Sequence, residues 1–242
     1  MTAFVTGGSG GIGKAICKAL SQMGYDVAVG YNSNEQGAVK LAEEISESGR
    51  KAAAIKCDVA SVDSISKAVA MCEGTLGEIT LLVNNAGVAD VNLFTHVPDD
   101  RMQEIVNVNL MGSMYLSKAV LPKMINRKCG NIINISSMWG EVGASCEVVY
   151  SAAKAGLIGF TKALAKEVGL SGVRVNCITA GMIDTPMNNG FTEDEISSIV
   201  EEIPLSRIGT PEDISDCVCF LASEKSSYIT GAVIKVNGGM CI

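Results

Sequence analysis

The stretch Ala3-Phe-Val-Thr-Gly-Gly-Ser-Gly-Gly-Ile-Gly13 decides the fold. A short apolar run leads into a glycine cluster, and apolar residues then recur at helical spacing until Gly24. Glycine is needed where a chain turns sharply and where a pyrophosphate must approach the backbone. The start of the following helix offers unpaired N–H groups and a positive dipole end to that phosphate. The stretch therefore predicts a strand–turn–helix unit that can bind a phosphate group.

The spacing of Gly7, Gly11 and Gly13 separates this turn from better-known phosphate loops. These three glycines do not have the spacing Gly-x-Gly-x-x-Gly, and the Gly-Lys-Ser/Thr of a P-loop is missing, which argues against a nucleoside triphosphatase. An ordinary tight turn is an alternative that the motif by itself leaves open. Because the turn opens an alternating chain, we favour a dinucleotide as its ligand.

Apolar runs alternate with amphipathic runs along the whole chain. We predict strands at 3–6, 26–30, 52–58, 79–83, 131–136, 174–179 and 233–236. We predict helices at 12–23, 36–48, from 61 onward, at 99–127 with a break or kink at Pro122, and at 148–168, 193–202 and 211–222. This alternation predicts one α/β domain over residues 1–242: a Rossmann-type, doubly wound parallel sheet of about seven strands with helices on both faces.

Composition excludes several classes of function. A formal charge of −7 argues against nonspecific binding to nucleic acid or to an anionic membrane, because both need a basic field. The N-terminus has no basic region followed by an apolar one, so it predicts a strand and not a signal peptide. No apolar run has the length of a membrane span. These features predict a cytoplasmic protein that binds neither nucleic acid nor membrane.

The nine cysteines are scattered, without a Cys-x-x-Cys pair, and His96 is the single histidine. This spacing argues against a zinc site. We expect reduced thiols that act as small buried hydrophobic groups, and no metal.

Tyr150 and Lys154 are four residues apart, so one helix face would carry both side chains. Many helices contain such a pair by chance. Here a serine, Ser137, precedes the tyrosine by thirteen residues, at the end of a predicted strand. Combined with the glycine turn, the three residues indicate a redox site for a carbonyl or an alcohol.

The end of the second predicted strand bears on which dinucleotide binds. An acidic residue there would accept hydrogen bonds from the adenosine ribose, but the sequence is Gly30-Tyr-Asn32-Ser33-Asn, with no carboxylate before Glu35. Asn32 and Ser33 can hydrogen-bond a 2′-phosphate, although no arginine is evident. We therefore favour NADP (NADPH) over NAD.

Several motifs coincide in order and spacing, and through them the chain resembles the short-chain dehydrogenase/reductase family over essentially its whole length. The motifs are Thr6 to Gly13, Asp58-Val59, Asn84 to Gly87, Asn107-Val-Asn109, Ser137, Tyr150-x-x-x-Lys154, Gly181 to Thr185, and Gly231 with Asn237-Gly-Gly. Within the family the chain looks most like bacterial 3-oxoacyl-[acyl-carrier-protein] reductases. Residues 150–162 and 204–213 carry that closer likeness.

The resemblance implies a role for each matching residue. The catalytic residues would be Asn109, Ser137, Tyr150 and Lys154. The cofactor would contact Gly7, Ser9, Gly10, Gly11, Ile12, Gly13, Asn32, Asp58, Val59, Asn85, Ala86, Gly87, Tyr150, Lys154, Ile183 and Thr185. Asp58 and Val59 would flank the adenine, while Ile183 and Thr185 would hold the carboxamide end of the nicotinamide.

Reduction of a ketone develops negative charge on oxygen, which then needs a proton and a hydrogen-bond donor. We expect Tyr150 to supply the proton, with its pKa lowered by the Lys154 ammonium and by an oxidised nicotinamide. Ser137 would hold the carbonyl oxygen, and Asn109 would bind a water that passes protons to Lys154. An asparagine inside a helix can instead satisfy a nearby backbone group.

The implied substrate is a 3-oxoacyl thioester on an acyl-carrier protein, and the implied assembly is a homotetramer. Many NADP-using relatives carry arginine at the position of Gly10, and close reductase relatives often carry one near Ser171. The remaining candidates for carrier contacts are Arg127, Lys128 and Arg174. Another alcohol or ketone (a sugar, a polyol or a steroid) is an alternative substrate, and a non-catalytic dinucleotide sensor is an alternative of another class. We expect residues 186–205 to decide the substrate, with Met138, Trp139 and Met187 as candidates to line its cleft.

Overall fold

The computed structural model describes residues 1–186 and 190–241. Its centre is a seven-stranded parallel sheet with the order β3-β2-β1-β4-β5-β6-β7. The strands are β1 Thr2–Val5, β2 Asp26–Tyr31, β3 Ala52–Lys56, β4 Ile79–Asn84, β5 Gly130–Ser137, β6 Val173–Ala180 and β7 Val233–Val236. The predicted doubly wound sheet is confirmed. Its strand order reverses between β1 and β4, and such a reversal opens a ligand crevice at the carboxyl ends of the strands.

Helices cover both faces of the sheet. They are α1 Gly11–Gln22, α2 Glu35–Glu47, α3 Val62–Leu76, α4 Asp99–Val106, α5 Gly112–Asn126, α6 Trp139–Val142, α7 Val148–Val168, α8 Glu193–Glu201 and α9 Pro211–Ala222. Two apolar clusters lie on opposite faces, one including Ile16 and Leu20 of α1, the other including Ile65 of α3 and Leu116 of α5. Because both faces are buried, the strands are apolar on both sides, as parallel sheets require.

The predicted helical run 99–127 is interrupted, but not where the sequence indicated. Helix α5 continues through Pro122, so the break expected there is wrong. The interruption is a π-helical turn at Asn107–Met111. Proline has no N–H group to donate to the preceding turn of the helix. The burial of Leu116, Val120 and Met124 along α5 compensates for that missing hydrogen bond.

Four of the cysteines behave as the sequence predicts: Cys17, Cys57, Cys72 and Cys177 are buried. Burial raises the pKa of the Cys57 and Cys72 thiols to about 12, which keeps both protonated and unreactive at neutral pH. Among the residues described, no helix combines the length and the apolar character that a membrane crossing needs.

Candidate active site

The glycine turn is fixed to the neighbouring strand β4 by Thr6 and Asn85. The Thr6 hydroxyl accepts hydrogen bonds from the N–H groups of Asn85 and Ala86, at 2.9 and 3.0 Å. The Asn85 amide donates to the Thr6 carbonyl at 2.9 Å and to that of Gly7 at 3.3 Å. Gly7 has a φ of +62°, a conformation that favours glycine. The bracing role of Thr6 was missed because its partners lie about 80 residues away along the chain.

A cavity of about 250 Å³ lies over this turn, lined by Gly7, Gly10 to Gly13, Asn85 to Gly87, Thr185 and Pro186. Helix α1 begins there, and its cap, Gly10, has no side chain that could accept from the first-turn N–H groups. Those groups are available to a phosphate. A Cβ on Gly11 would lie 2.9 Å from the Thr185 side chain, so Thr185 closes over the turn. The cradle fits the pyrophosphate of a dinucleotide.

The ends of β2 and β3 carry the residues that the resemblance assigns to the adenosine. Asp58 follows β3, and its Oδ1 accepts the Ala60 N–H at 3.0 Å, which leaves the other carboxylate oxygen for a ligand. Val59 is buried beneath it. Asn32 follows β2, and Lys56, which the sequence reasoning overlooked, donates from Nζ to the carbonyl of Asn32 and to its Oδ1, the latter at 3.1 Å.

Tyr150 and Lys154 lie near the start of α7 and share one face, as predicted. Lys154 is 4% exposed, and its Nζ donates to the Ile135 carbonyl of β5 at 2.9 Å. The same Nζ lies 5.5 Å from the centroid of the Tyr150 ring. Ser137, the last residue of β5, is 8% exposed, and its hydroxyl accepts the Trp139 N–H at 3.2 Å. The structure thus brings the three predicted residues to one edge of the sheet.

Asn109 lies in the π-helical turn and is fully buried. Its Nδ2 donates to the carbonyl of Ile105, one turn earlier, at 2.9 Å, and to that of Val88 at 2.7 Å. A side chain that takes the place of a main-chain donor in this way disturbs the helical ladder, which accounts for the local π geometry. Asn109 therefore does satisfy local backbone groups, the alternative that the sequence left open.

The Oδ1 of Asn109 is buried and has no hydrogen-bond partner within the described structure. It faces Gly87, where a Cβ would lie 2.8 Å from that oxygen and 3.6 Å from Lys154 Nζ. A buried acceptor without a partner costs free energy, and a bound water or ligand commonly satisfies it. Asn109 Oδ1 and Lys154 Nζ thus both face Gly87, which itself lines the cavities of the site.

Burial is the main cause of the pKa shifts of Tyr150 and Lys154. It raises the pKa of Tyr150 to about 12, the charge of Glu147 adds to the shift, and hydrogen bonding with Ser137 opposes it. Burial lowers the pKa of Lys154 to about 8. In the chain by itself the pKa of Tyr150 is therefore raised, because burial disfavours the phenolate, and the lowering expected from Lys154 together with an oxidised nicotinamide stays a prediction.

Ile183 is buried and forms a parallel bridge with Gly209. The N–H of Asp184 donates to the Gly209 carbonyl, and the N–H of Gly209 donates to that of Met182, both at 2.8 Å. These bonds hold Ile183 and Thr185 over the crevice. They lie beside the cradle, where the sequence placed them.

A second cavity, of about 380 Å³, joins the cradle to the Tyr150 side and is lined by Ser137, Met138, Trp139, Glu147, Tyr150, Lys154, Phe191, Ile199, Glu202 and Met240, among others. Met138 and Trp139 line it as predicted, and Met187 lies outside the described residues. Phe191, Ile199 and Glu202 come from the segment that the sequence singled out for the substrate. Glu147 was missed, because nothing in the sequence shows that its carboxylate turns toward this cavity.

The candidate carrier contacts lie elsewhere in the chain. Arg127 donates to the carbonyls of Cys129 and Ile79 and pairs with Glu78 at 3.3 Å. Arg174 donates to the carbonyls of Leu221 and Ile229, at 2.8 and 3.4 Å. Ile79 starts β4 and Arg174 is second in β6, so both arginines stabilise the amino edge of the sheet. Ser137 is at the opposite edge, roughly 23 Å away along an eight-residue strand.

Comparison with known proteins agrees with this geometry. A family model described as enoyl-(acyl carrier protein) reductase matches residues 7–241. The chain belongs to the short-chain dehydrogenase/reductase family. It is 42% identical to the 3-oxoacyl-[acyl-carrier-protein] reductase of Pseudomonas aeruginosa over 98% of this chain and 96% of the relative. The corresponding reductase of Staphylococcus epidermidis is 38% identical over 99% of this chain and 98% of the relative.

An uncharacterized oxidoreductase of Bacillus subtilis, YmfI, is as similar, with 42% identity over 98% of both chains. Membership of the family makes this protein an oxidoreductase that uses a nicotinamide dinucleotide and acts on CH–OH or keto groups. Because one similar relative is an uncharacterized oxidoreductase and others are carrier-protein reductases, the comparisons leave the substrate open.

Proposed function

We propose that the protein reduces a 3-oxoacyl thioester to the 3-hydroxyacyl product with NADPH. The observation that carries the proposal is the pair of buried polar atoms Asn109 Oδ1 and Lys154 Nζ, which face Gly87 beside the cavity that Tyr150 and Ser137 line. A binding module needs the cradle but not a buried lysine, a tyrosine and an unpartnered asparagine oxygen at one place. That argument favours catalysis over a dinucleotide sensor.

In this proposal a bound nicotinamide supplies the hydride, and the side chains manage the substrate oxygen. Ser137 donates a hydrogen bond to the carbonyl oxygen, and Tyr150 gives it the proton. A pKa of about 12 keeps the Tyr150 phenol protonated at neutral pH, which is the form that a reductase needs as its acid.

Lys154 and Asn109 restore the proton in this scheme. Lys154 Nζ is fixed by the Ile135 carbonyl and lies close to the Tyr150 ring. A water that accepts from Lys154 and donates to Asn109 Oδ1 would satisfy the buried oxygen and link the pair to solvent. The lowered pKa of Lys154, about 8, allows that ammonium to exchange its proton near neutrality.

NADPH is the proposed cofactor because no acidic side chain follows β2 at Asn32 to repel a 2′-phosphate. The thioester is proposed from the names of similar reductases and from the cavity that Trp139, Phe191 and Ile199 line. Fatty acid synthesis, a homotetrameric assembly and a cytoplasmic location belong to the same proposal.

A second candidate is the same chemistry on a different ketone, such as a sugar, a polyol or a steroid. It is favoured by the internal hydrogen bonds of Arg127 and Arg174 and by the neutral Ser171. These residues offer an acidic carrier protein little positive charge near the substrate cavity, which itself contains Glu147 and Glu202.

The test follows NADPH and NADH oxidation by the purified chain with acetoacetyl thioesters of coenzyme A and of a carrier protein. A panel of keto-sugars and steroid ketones runs in parallel. We expect NADPH oxidation with a thioester, abolished by Tyr150→Phe. Turnover with another ketone and none with either thioester would move the assignment to the second candidate. NADPH binding without turnover on any ketone would favour the sensor.

A further inference from the structure

Lys56 stands at the carboxyl end of β3, directly opposite Tyr31 in the parallel register with β2. Its Nζ donates to the main-chain carbonyl of Asn32 and, at 3.1 Å, to Oδ1 of the same residue. The ammonium also lies 5.8 Å from the centroid of the Tyr31 ring. An exposed lysine is thereby held at the residue that follows β2.

That residue occupies the place where the ribose of a dinucleotide is recognised in this type of sheet. Lys56 and Asp58 are two residues apart, so along an extended chain their side chains leave on the same side. Asp58 is the residue expected at the adenine. Lys56 is thus placed between the expected adenine contact and the expected ribose contact.

The groups around this ammonium already have hydrogen-bond partners. Helix α2, of 13 residues, begins at Glu35, and its cap Asn34 uses its side chain to accept the Gly37 N–H. The carboxylate in this first turn, Glu35, accepts the Tyr31 hydroxyl at 3.0 Å. Glu35 is therefore hydrogen-bonded to a neighbouring phenol, while the ammonium of Lys56 is held at Asn32.

We propose that Lys56 is the cation that binds the 2′-phosphate of NADPH and so determines which dinucleotide the enzyme prefers. The inference deepens the proposed function and rests on NADPH being the cofactor. A lysine ammonium has three N–H donors, and two of them point to Asn32. The third can reach a phosphate oxygen, and Asn32, whose Oδ1 faces the ammonium, presents its Nδ2 as a second donor.

The test measures the dissociation constants of NADPH and NADH, and of 2′,5′-ADP against 5′-AMP, by calorimetric or fluorescence titration of the full chain. The variants are Lys56→Met and Lys56→Arg. Lys51→Met is the matched control, because Lys51 is equally exposed and precedes the same strand at its other end. No substrate is needed, so the result is independent of which ketone the enzyme reduces.

We expect Lys56→Met to weaken the binding of NADPH and of 2′,5′-ADP about tenfold or more, with the binding of NADH and 5′-AMP unchanged. Lys56→Arg should retain most of the preference, and Lys51→Met all of it. Equal weakening of both dinucleotides, or no change in either, would overturn the inference while NADPH remained the cofactor. If the unmodified chain binds NADPH no more tightly than NADH, the cofactor proposal itself fails, and this inference fails with it.

Discussion

The two edges of the sheet use cations in opposite ways. At the amino edge, Arg127 donates to the carbonyl of Ile79, which begins β4, and Arg174 of β6 donates to the carbonyl of Leu221 near the end of α9. At the carboxyl edge, Lys154 and Lys56 lie beside the candidate active site. Each ammonium donates to one main-chain carbonyl, which fixes its position beside the site. In a parallel sheet the loops at the carboxyl edge can vary around a fixed frame, which is why ligands bind there.

The comparison teaches that a basic residue cannot be assigned a role from its charge alone. Arg127 and Arg174 look like docking residues in the sequence, but their donors stabilise the frame. Lys56 looks like an ordinary exposed strand residue, but parallel pairing places it at Asn32. If the distinction between the edges holds, substitutions at the carboxyl edge change the kinetics and leave the stability constant. Substitutions at the amino edge lower the stability and leave the kinetics constant.

The largest effect should follow from Tyr150→Phe, which removes only the phenolic oxygen. We expect kcat for reduction to fall about 10²- to 10⁴-fold, because the substrate oxygen loses its proton donor. The dissociation constant of NADPH and the melting temperature should stay near their original values. Steady-state kinetics, titration and calorimetry on the same preparation check this, and a loss of activity that follows a loss of folded protein would contradict it.

At the amino edge, Arg127→Met should lower the free energy of unfolding by about 1–3 kcal/mol, because the carbonyls of Cys129 and Ile79 lose their donor. Activity per folded molecule should not change, with either coenzyme A or carrier-protein thioesters. Urea denaturation and kinetics measure the two quantities. Lys118→Met, at an exposed position of α5, is the surface control. A selective rise in KM for the carrier-protein substrate would instead show that Arg127 contacts the carrier.

The sequence predicts what depends on local pattern and misses what depends on pairing. Helices 148–168 and 211–222 occur as predicted, because apolar periodicity, with a threonine cap at Thr210 for the second, determines them. Lys56 was missed because it lies 24 residues from Asn32 and meets it only through the register of β2 with β3.

Two differences from expectation have a physical cause in tertiary structure. Helix α5 does not break at Pro122, because its packing holds the helix continuous. In the chain by itself burial raises the pKa of Tyr150, and burial is not evident in the sequence, whereas the lysine is. The gathering of Ser137, Tyr150 and Lys154 around one cavity could be anticipated from the resemblance of the motifs to those of the family. Nothing in the sequence indicated that Asn109 Oδ1 would be buried without a hydrogen-bond partner in the described structure.

A smaller effect is expected from Gly10→Arg at the carboxyl edge. Gly10 caps α1 with φ −122° and ψ 159°, and no atom lies within 4 Å of a Cβ built on it, so an arginine fits without strain. The added charge should raise the preference for NADPH over NADH about threefold, as one solvent-exposed contact does. Gly10→Gln, without the charge, is the control. Equal gains in the two variants would show that charge is not the cause.

The smallest effect concerns Glu147, whose charge raises the pKa of Tyr150 by less than burial does. Glu147→Gln removes a negative charge beside the phenol, so the phenolate becomes easier to form and the pKa of Tyr150 falls. Oxidation of the 3-hydroxyacyl product needs the phenolate, and its rate rises with pH toward that pKa. The rising part of the pH–rate profile for oxidation should therefore move to lower pH by less than about one unit, because burial remains the main cause of the raised pKa of Tyr150. Reduction at neutral pH should not change, since Tyr150 stays protonated in both proteins. Glu202→Gln, in the same cavity, is the control. A limb that stays in place or moves to higher pH would mean that Glu147 does not act on Tyr150 through its charge.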